Sequence, residues 1–145
     1  MNAAIRTATA RRGQGAPRAA ANRTPMNTPH TVAVIGCGRP WRTEGATGFG
    51  MSHAHAHGYN ATGRCRIVAV CDTVERNARL FADEHAGGEA AVFADYEALL
   101  ADVRPDIVSI ATWPHLHAPM VIAAARAGVR AIHGEKPVAD TWGAA

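Results

Sequence analysis

The body of this chain alternates short apolar runs with segments of helical periodicity, and this alternation restricts the fold more than any other feature. Such continuous β-branched runs are typical of strands that are buried on both faces of a parallel sheet. Strand and helix alternate repeatedly, which predicts an α/β fold with a doubly wound parallel sheet, Rossmann-like in its connections. The runs are TVAVIG (31–36), RIVAVCD (66–72), AVFAD (91–95), DIVSIAT (106–112) and VRAIHG (129–134).

Four helices are predicted between or beside these runs. The first begins late, just before the repeated histidines, and the second ends where two glycines stop it. The predicted helical segments are FGMSHAHAHGY, TVERNARLFADEHAGG, YEALLADV and HAPMVIAAARAG (117–128), the last closed by Gly128.

The charge distribution separates residues 1–25 from the rest of the chain. The formal net charge is +3, but five of the fourteen arginines lie in this segment, and residues 26–145 carry ten basic against twelve acidic residues. We predict a disordered or mis-called tail (1–25), with Met26 as an alternative start. Residues 26–145 are predicted to form one domain, and the Gly-x-Gly turn at 36–38 indicates that it binds a dinucleotide. Nothing indicates a nucleic-acid partner or a membrane span. Three cysteines without metal or redox spacing favour reduced thiols and a cytoplasmic location.

A glycine turn directly follows the first apolar run, at Gly36, Cys37 and Gly38. A dinucleotide-binding fold needs glycines at this point, because a bare backbone admits a pyrophosphate group to a helix N-terminus. These three residues are therefore predicted to bind a cofactor phosphate, although a Gly-x-Gly after a strand also occurs as a plain turn.

The glycine fingerprint is interrupted, since Trp41 stands where a third glycine is expected and Gly50 follows nine residues later. We interpret residues 39–48 as an insertion before the first helix. Arg39 is predicted to join the cofactor site. Whether Arg39 and Arg42 reach over a pyrophosphate or point into solvent stays open.

Asp72 closes the second apolar run, 22 residues after Gly50. An acid at this place accepts hydrogen bonds from the adenosine ribose hydroxyls, and it would repel a 2′-phosphate. NAD is therefore predicted, with NADP possible because Arg76 lies close by in sequence. The alternative is a helix N-cap, since Asp72 and Glu75 resemble a capping box.

Three alternating histidines follow the insertion, at positions 53, 55 and 57. Only His53 and His57 share a helix face at the spacing that chelates a metal. A third ligand is not nearby in sequence, so packing of a helix on the sheet is favoured and no metal is predicted.

Lys136, in the segment GEKPVA, is the only lysine of the chain. Arginine supplies every other fixed positive charge, whereas a lysine has a pKa that can be tuned for proton transfer. The loop lies after the fifth strand, at the carboxyl edge of the sheet where ligands bind. Trp113 and His117 lie at the same edge, where they either face a nicotinamide or cover the next helix.

These motifs resemble, in order, the N-terminal domain of the Gfo/Idh/MocA oxidoreductases, a family that includes glucose-fructose oxidoreductase and inositol dehydrogenase. The resemblance covers residues 31–141. The motifs that carry it are VAVIGCG, HAHAHGY, VAVCD, YEALLAD, DIVSIAT with His117, AAARAG and GEKPVA.

The resemblance implies an oxidoreductase that exchanges hydride between a nicotinamide cofactor and a sugar or polyol. Thr112 and Trp113 would border the cofactor, while Glu135, Lys136 and Pro137 would form the active-site motif. Lys136 would be catalytic and would assist the accompanying proton transfer.

Two departures from the family pattern are the insertion and the end of the chain at DTWGAA. The family's second domain, which carries substrate contacts and often oligomerises, would then be absent, and so would the last part of the sheet. We therefore expect an incomplete sheet and a chain that is not catalytically competent alone. A homo-oligomer is expected only when that domain is present.

Marginal stability or aggregation is also expected from an open sheet edge. A non-catalytic nucleotide-binding or regulatory module is the alternative.

Overall fold

The computed structural model describes residues 28–145. The predicted tail (1–25) and the alternative start at Met26 lie outside the described residues. Among residues 28–145, no helix is both long enough and apolar enough to cross a membrane.

Five parallel strands form one sheet in the order β3-β2-β1-β4-β5. This order confirms the predicted doubly wound α/β fold, because the chain winds outward from β1 first in one direction and then in the other. The strands are β1 His30–Ile35, β2 Cys65–Cys71, β3 Ala91–Phe93, β4 Ile107–Ile110 and β5 Ala131–Gly134.

Four helices cover the sheet, and the main difference from the predicted bounds is at the start of the last helix. The last helix begins at Pro114 rather than at 117, since proline suits the first helical turn, where its missing N–H is no loss. The fifth strand begins two residues later than predicted, at Ala131. The helices are α1 Met51–Thr62, α2 Glu75–Ala86, α3 Tyr96–Val103 and α4 Pro114–Arg126, followed by a 3-10 turn at Trp142–Ala144.

Each face of the sheet has its own hydrophobic core. Successive side chains of β1 point to opposite faces, so Val32 and Val34 pack under α1 and α2, whereas Ala33 and Ile35 pack under α3 and α4. The first core contains Ala56 and Phe81, and the second contains Leu99, Met120 and Ala124.

A register shift between Val32 and Ala33 leaves Val68 of β2 without an opposite residue on β1. The extra residue changes the alternation of β2, which explains why Ile67 and Val70 lie on the same face despite their odd spacing. The apolar run RIVAVCD gave no sign of this bulge, because it is hydrophobic on both faces.

β5 forms one edge of the described sheet, and its residues are mostly exposed. An exposed edge strand presents unpaired N–H and C=O groups to other chains. The expected marginal stability or aggregation of the chain stays a prediction.

Candidate functional site

The carboxyl ends of four neighbouring strands are joined by three backbone hydrogen bonds. Gly36 N–H donates to Cys71 O at 2.8 Å, Ala111 N–H to Ile35 O at 2.9 Å, and Glu135 N–H to Ile110 O at 2.9 Å. These bonds hold the loops after β1, β2, β4 and β5 side by side. The winding direction reverses between β1 and β4, and ligands of open α/β sheets bind at that point.

The glycine turn after β1 approaches β4 closely and leaves open space beyond it. Gly36 has φ +86°, and an added Cβ would lie 2.7 Å from Thr112 Cγ2 and 2.9 Å from the carbonyl carbon of Ala111. Gly38 has φ +57°, and an added Cβ would contact nothing within 4 Å. Gly36 is therefore required because the turn after β1 passes close to the backbone after β4. Gly38 borders free space.

α1 begins at this turn with its first N–H groups free of a side-chain cap. Gly50, at φ +62°, precedes the helix, and the first turn contains no acidic residue. An added Cβ at Gly50 would lie 2.7 Å from Arg39 O, so the insertion folds back onto the helix start. An uncapped N-terminus carries a partial positive charge, which suits an anion such as a phosphate.

The insertion holds its two arginines differently. Arg42 stacks over the ring of Trp41 at 4.1 Å, and that ring in turn contacts Phe49 at 5.6 Å between centroids. Arg39 lines a cleft of about 490 Å³ beside Gly38. Arg39 is thus the inserted arginine that borders the glycine turn.

Asp72, directly after β2, anchors the glycine turn. Its Oδ2 accepts a hydrogen bond from Gly38 N–H at 2.8 Å, and its Oδ1 accepts one from Val74 N–H at 2.8 Å. The N-cap position of α2 is occupied by Val74. The capping-box alternative for Asp72 is therefore wrong, because the helix begins two residues further along.

The Glu135-Lys136-Pro137 loop is tied to α1 through a buried histidine. His55 Nε2 lies 3.0 Å from Glu135 Oε1, and His55 Nδ1 lies 2.9 Å from Ser109 Oγ on β4. Glu135 Oε2 also accepts a weaker hydrogen bond from Lys136 N–H at 3.3 Å. Lys136 is exposed, and its peptide bond to Pro137 is cis.

His117 holds the same loop from the side of β4. Its Nδ1 lies 2.6 Å from Pro137 O and its Nε2 lies 2.9 Å from Thr112 O, and the residue is only 2% exposed. Both ring nitrogens face backbone carbonyls, so His117 positions the loop, and its contact with a cofactor stays a prediction. Trp113 beside it is 55% exposed.

The polar side-chain atoms of Cys37 and Thr112 make their contacts within the domain. The Cys37 thiol is fully buried and contacts Cys71 O at 3.5 Å, and the Thr112 hydroxyl donates to Met120 Sδ at 3.4 Å. Burial raises the pKa of Cys37, and it raises the pKa of Cys71 to about 11. Both thiols therefore stay protonated and unreactive near neutral pH.

The three alternating histidines have three different surroundings. His55 faces β4 and Glu135, His57 is exposed, and His53 faces α2, where its Nδ1 lies 2.8 Å from His85 Nε2. Glu84 stands beside this pair, and the ligand atoms of the three residues all lie within 4.8 Å of one another. The prediction of no metal assumed that a third ligand was missing, but α2 supplies two candidates that are distant in sequence.

Burial accounts for the electrostatics of the paired histidines. Desolvation lowers the pKa of His53 and of His85 below the ordinary value, and the neighbouring imidazoles lower both further. Glu84 opposes this effect in both cases.

Comparison with known proteins identifies the family to which this chain belongs. A family model described as "Oxidoreductase family, NAD-binding Rossmann fold" matches residues 30–145. The chain belongs to this Gfo/Idh/MocA oxidoreductase family. The resemblance that the sequence motifs indicated is thereby confirmed, and so is NAD as the cofactor class of the domain.

Two relatives and one solved structure illustrate the kinship of this Gfo/Idh/MocA chain. D-glucoside 3-dehydrogenase of Escherichia coli (strain K12) is 31% identical over 115 residues, which is 79% of this chain and 29% of that protein. D-apiose dehydrogenase of Paraburkholderia graminis is 36% identical over 109 residues, 75% of this chain and 25% of that protein. The crystal structure of the WlbA dehydrogenase from Bordetella pertussis in complex with NADH and UDP-GlcNAcA superimposes with a TM-score of 0.63 at 28% identity, covering 80% of this chain and 32% of that one.

The chain therefore spans between a quarter and a third of the length of these Gfo/Idh/MocA relatives. What it shares with them is the NAD-binding domain. The sequence did not predict two hydrogen bonds at the carboxyl edge of the sheet, the one between His55 and Glu135 and the one from Gly38 N–H to Asp72. Both join residues more than 30 positions apart, and no local spacing signals them.

Proposed function

We propose that this chain forms the cofactor half of the active site of an NAD-dependent dehydrogenase that acts on a sugar or polyol. One observation carries the proposal: the Gly36 to Gly38 turn, anchored by Asp72, meets the uncapped start of α1 where the sheet reverses its winding. Lys136 stands on a loop of the same edge.

The turn and the helix start would hold the pyrophosphate. The open space at Gly38 lets a phosphate approach the backbone, and the N–H groups of the first turn of α1 would donate to it. Arg39 lines the adjoining cleft, so its guanidinium is placed to offset phosphate charge.

Asp72 would hold the adenosine ribose. Each of its oxygens accepts one backbone N–H bond in the structure, and a carboxylate oxygen has a further lone pair for a ribose hydroxyl. The negative charge disfavours a 2′-phosphate, which supports NAD over NADP.

Lys136 would move the proton that accompanies hydride transfer. Nicotinamide supplies the hydride acceptor or donor at its C4. The ammonium of Lys136, or its neutral amine, would give or take the proton of the reacting hydroxyl at Nζ. His117 would fix the loop that carries Lys136 through its contact with Pro137 O, and Glu135 would do so through its contact with His55.

The substrate class is supported by the relatives. The two curated relatives are named as dehydrogenases of a D-glucoside and of D-apiose, both carbohydrates. We assign this chain a carbohydrate hydroxyl or carbonyl on that basis. The residues that select among sugars are not assigned.

Titration with NADH and NADPH, followed by quenching of tryptophan fluorescence, tests the proposal. We expect saturable binding of NADH, weaker binding of NADPH, and a loss of roughly tenfold to a hundredfold in NADH affinity in Asp72→Asn, the worth of one or two hydrogen bonds to a charged group. Asp95→Asn is the matched control, since Asp95 also accepts two backbone N–H bonds after a strand but lies beyond β3.

Two results would change the assignment. A folded chain that binds neither nucleotide would end it. Binding of NADH with no sugar-dependent reduction of NAD⁺ in any form of the protein that includes these residues would favour a non-catalytic nucleotide-binding module.

A further inference from the structure

Three side chains on α1 and α2 converge on one point outside the cofactor edge. His53 Nδ1 lies 2.8 Å from His85 Nε2, and the carboxylate of Glu84 lies 3.7 Å from each of these nitrogens. All three ligand atoms lie within 4.8 Å of one another. The remaining ring nitrogen of His53, Nε2, is buried and has no hydrogen-bond partner among the described residues. The hydrogen bond of the His53 side chain is therefore made by Nδ1, toward this point.

Two imidazole nitrogens that face each other need a proton or a cation between them. A neutral imidazole has one N–H and one lone pair, so a hydrogen bond uses the lone pair of one ring only. A cation would accept the lone pairs of both rings, and the Glu84 carboxylate would offset its charge. Both histidines are less than a tenth exposed, whereas the Glu84 side chain is half exposed.

The cleft beside the glycine turn gives access to this point. Its lining includes Gly38, Arg39, His53 and Glu84. A cation could enter by this route without unfolding either helix, and water from the cleft would reach it. Phe81 closes the inner side, since its ring contacts both His53 and His85.

We propose that His53 Nδ1, His85 Nε2 and a carboxylate oxygen of Glu84 bind a divalent cation of the zinc class, with water from the cleft as the fourth ligand. Two imidazoles and one carboxylate form a set that suits tetrahedral zinc with one open position. Mg²⁺ and Ca²⁺ prefer oxygen ligands alone and fit this set poorly. The ion would join α1 to α2 next to the turn that is proposed to hold phosphate.

His57 is not part of the site, although its spacing from His53 suggested a pair. It is exposed, and its ring lies edge-on to His85 at 5.0 Å between centroids. The site is therefore built between two helices rather than along one.

Isothermal titration of the tag-free 145-residue chain with ZnCl₂ tests this site. We expect one equivalent to bind and to raise the melting temperature. Glu84→Gln and His85→Ala should each weaken binding by at least about tenfold, because even partners outside the ligand set cost that much in zinc proteins. His57→Ala and the exposed His115→Ala are matched controls and should bind as the native chain does. Residues 1–27 contain no His, Cys, Asp or Glu side chain that would bind the ion instead.

The result is interpretable even where a core substitution disturbs folding. Glu84 is half exposed, so Glu84→Gln should keep the circular dichroism spectrum of the native chain. Cobalt substitution gives a second readout, since the visible absorption of Co²⁺ reports its ligands. A folded chain that binds no zinc, binding unchanged in Glu84→Gln or His85→Ala, or a sulfur-to-cobalt charge-transfer band would each overturn the proposal.

Discussion

The side chain of Glu135 connects the loop of Lys136 to helix α1. Its carboxylate contacts His55 of α1, and His55 in turn contacts Ser109 of β4. His133 stacks on His55 at 3.9 Å between ring centroids. The position of Lys136 therefore depends on a side chain of the first helix, far from it in sequence.

His55→Ala should destabilise the chain by about 2 kcal/mol, because Ser109 and Glu135 lose a buried hydrogen-bond partner. His57→Ala is the matched control: it makes the same change two residues further along α1, at an exposed position, and should alter stability by less than about 0.5 kcal/mol. Urea unfolding at pH 7 measures both. Equal effects in the two variants would show that His55 has no special role.

Lys136→Arg should separate chemistry from cofactor binding. Arginine keeps the charge but does not release a proton near neutral pH, so the rate of NAD⁺ reduction by a sugar should fall by roughly 10² or more. NADH affinity should stay within about twofold. Single-turnover absorbance of NADH measures the rate, and fluorescence titration measures the affinity. An unchanged rate would remove Lys136 from the proposed chemistry.

At the scale of elements, β1 and β4 are fixed to each other at both ends. At the carboxyl ends Gly36 packs closely against Ala111 and Thr112. At the amino ends the Asp106 carboxylate accepts hydrogen bonds from Thr31. The Asp106 Oδ2 accepts from both the N–H and the hydroxyl of Thr31, each at 3.0 Å. The two strands that form the proposed site are thus held in register from their first residues.

Asp106→Asn should lower stability at neutral pH by about 1 kcal/mol, allowing for the partial exposure of the carboxylate. The backbone N–H of Thr31, its hydroxyl and Arg130 hold the pKa of Asp106 below its ordinary value of 3.8. Because folding lowers this pKa, the stabilisation is complete above the ordinary value and is lost as the pH falls through the folded-state value.

Urea unfolding of the native chain and of Asp106→Asn at pH 7 and below pH 3.8 checks the sign. The difference in free energy of unfolding should shrink toward zero in acid. Asp102→Asn, at an exposed acid on α3, should show no such difference at either pH. A difference that grows in acid would contradict the account.

The sequence predicts these elements well where chemistry is local. The apolar runs indicated all five strands, and the glycines after β1 and α2 marked their turns. The bulge at Val68 and the early start of α4 were not predicted. Neither feature changes the hydrophobic pattern, which is the signal that predicts the elements.

Contacts between distant segments account for the rest of what the sequence did not reveal. His57 shares a helix face with His53, but the packing of α1 on α2 places His53 beside His85, which is distant in sequence. His117 was predicted either to face a nicotinamide or to cover the next helix, and in the fold both of its ring nitrogens face backbone carbonyls. Residue type and order indicated candidate site residues, whereas contacts between distant residues are visible only in the fold.

At the scale of the whole molecule, the chain corresponds to the cofactor domain of proteins three to four times its matched length. The exposed β5 lies at the edge of the described sheet, next to the loop of Lys136. The location of the cofactor can therefore be tested on this domain by itself.

Amide chemical shifts of the ¹⁵N-labelled 145-residue chain, recorded with and without NAD⁺, test that location most directly. The account predicts that the largest changes fall on Gly36, Gly38 and the first turn of α1, with smaller ones after β4 and β5. Residues at the amino edge of the sheet, such as Thr31 and Asp106, should not shift. Changes concentrated at the amino edge, or a well-dispersed spectrum that does not respond to NAD⁺, would contradict it.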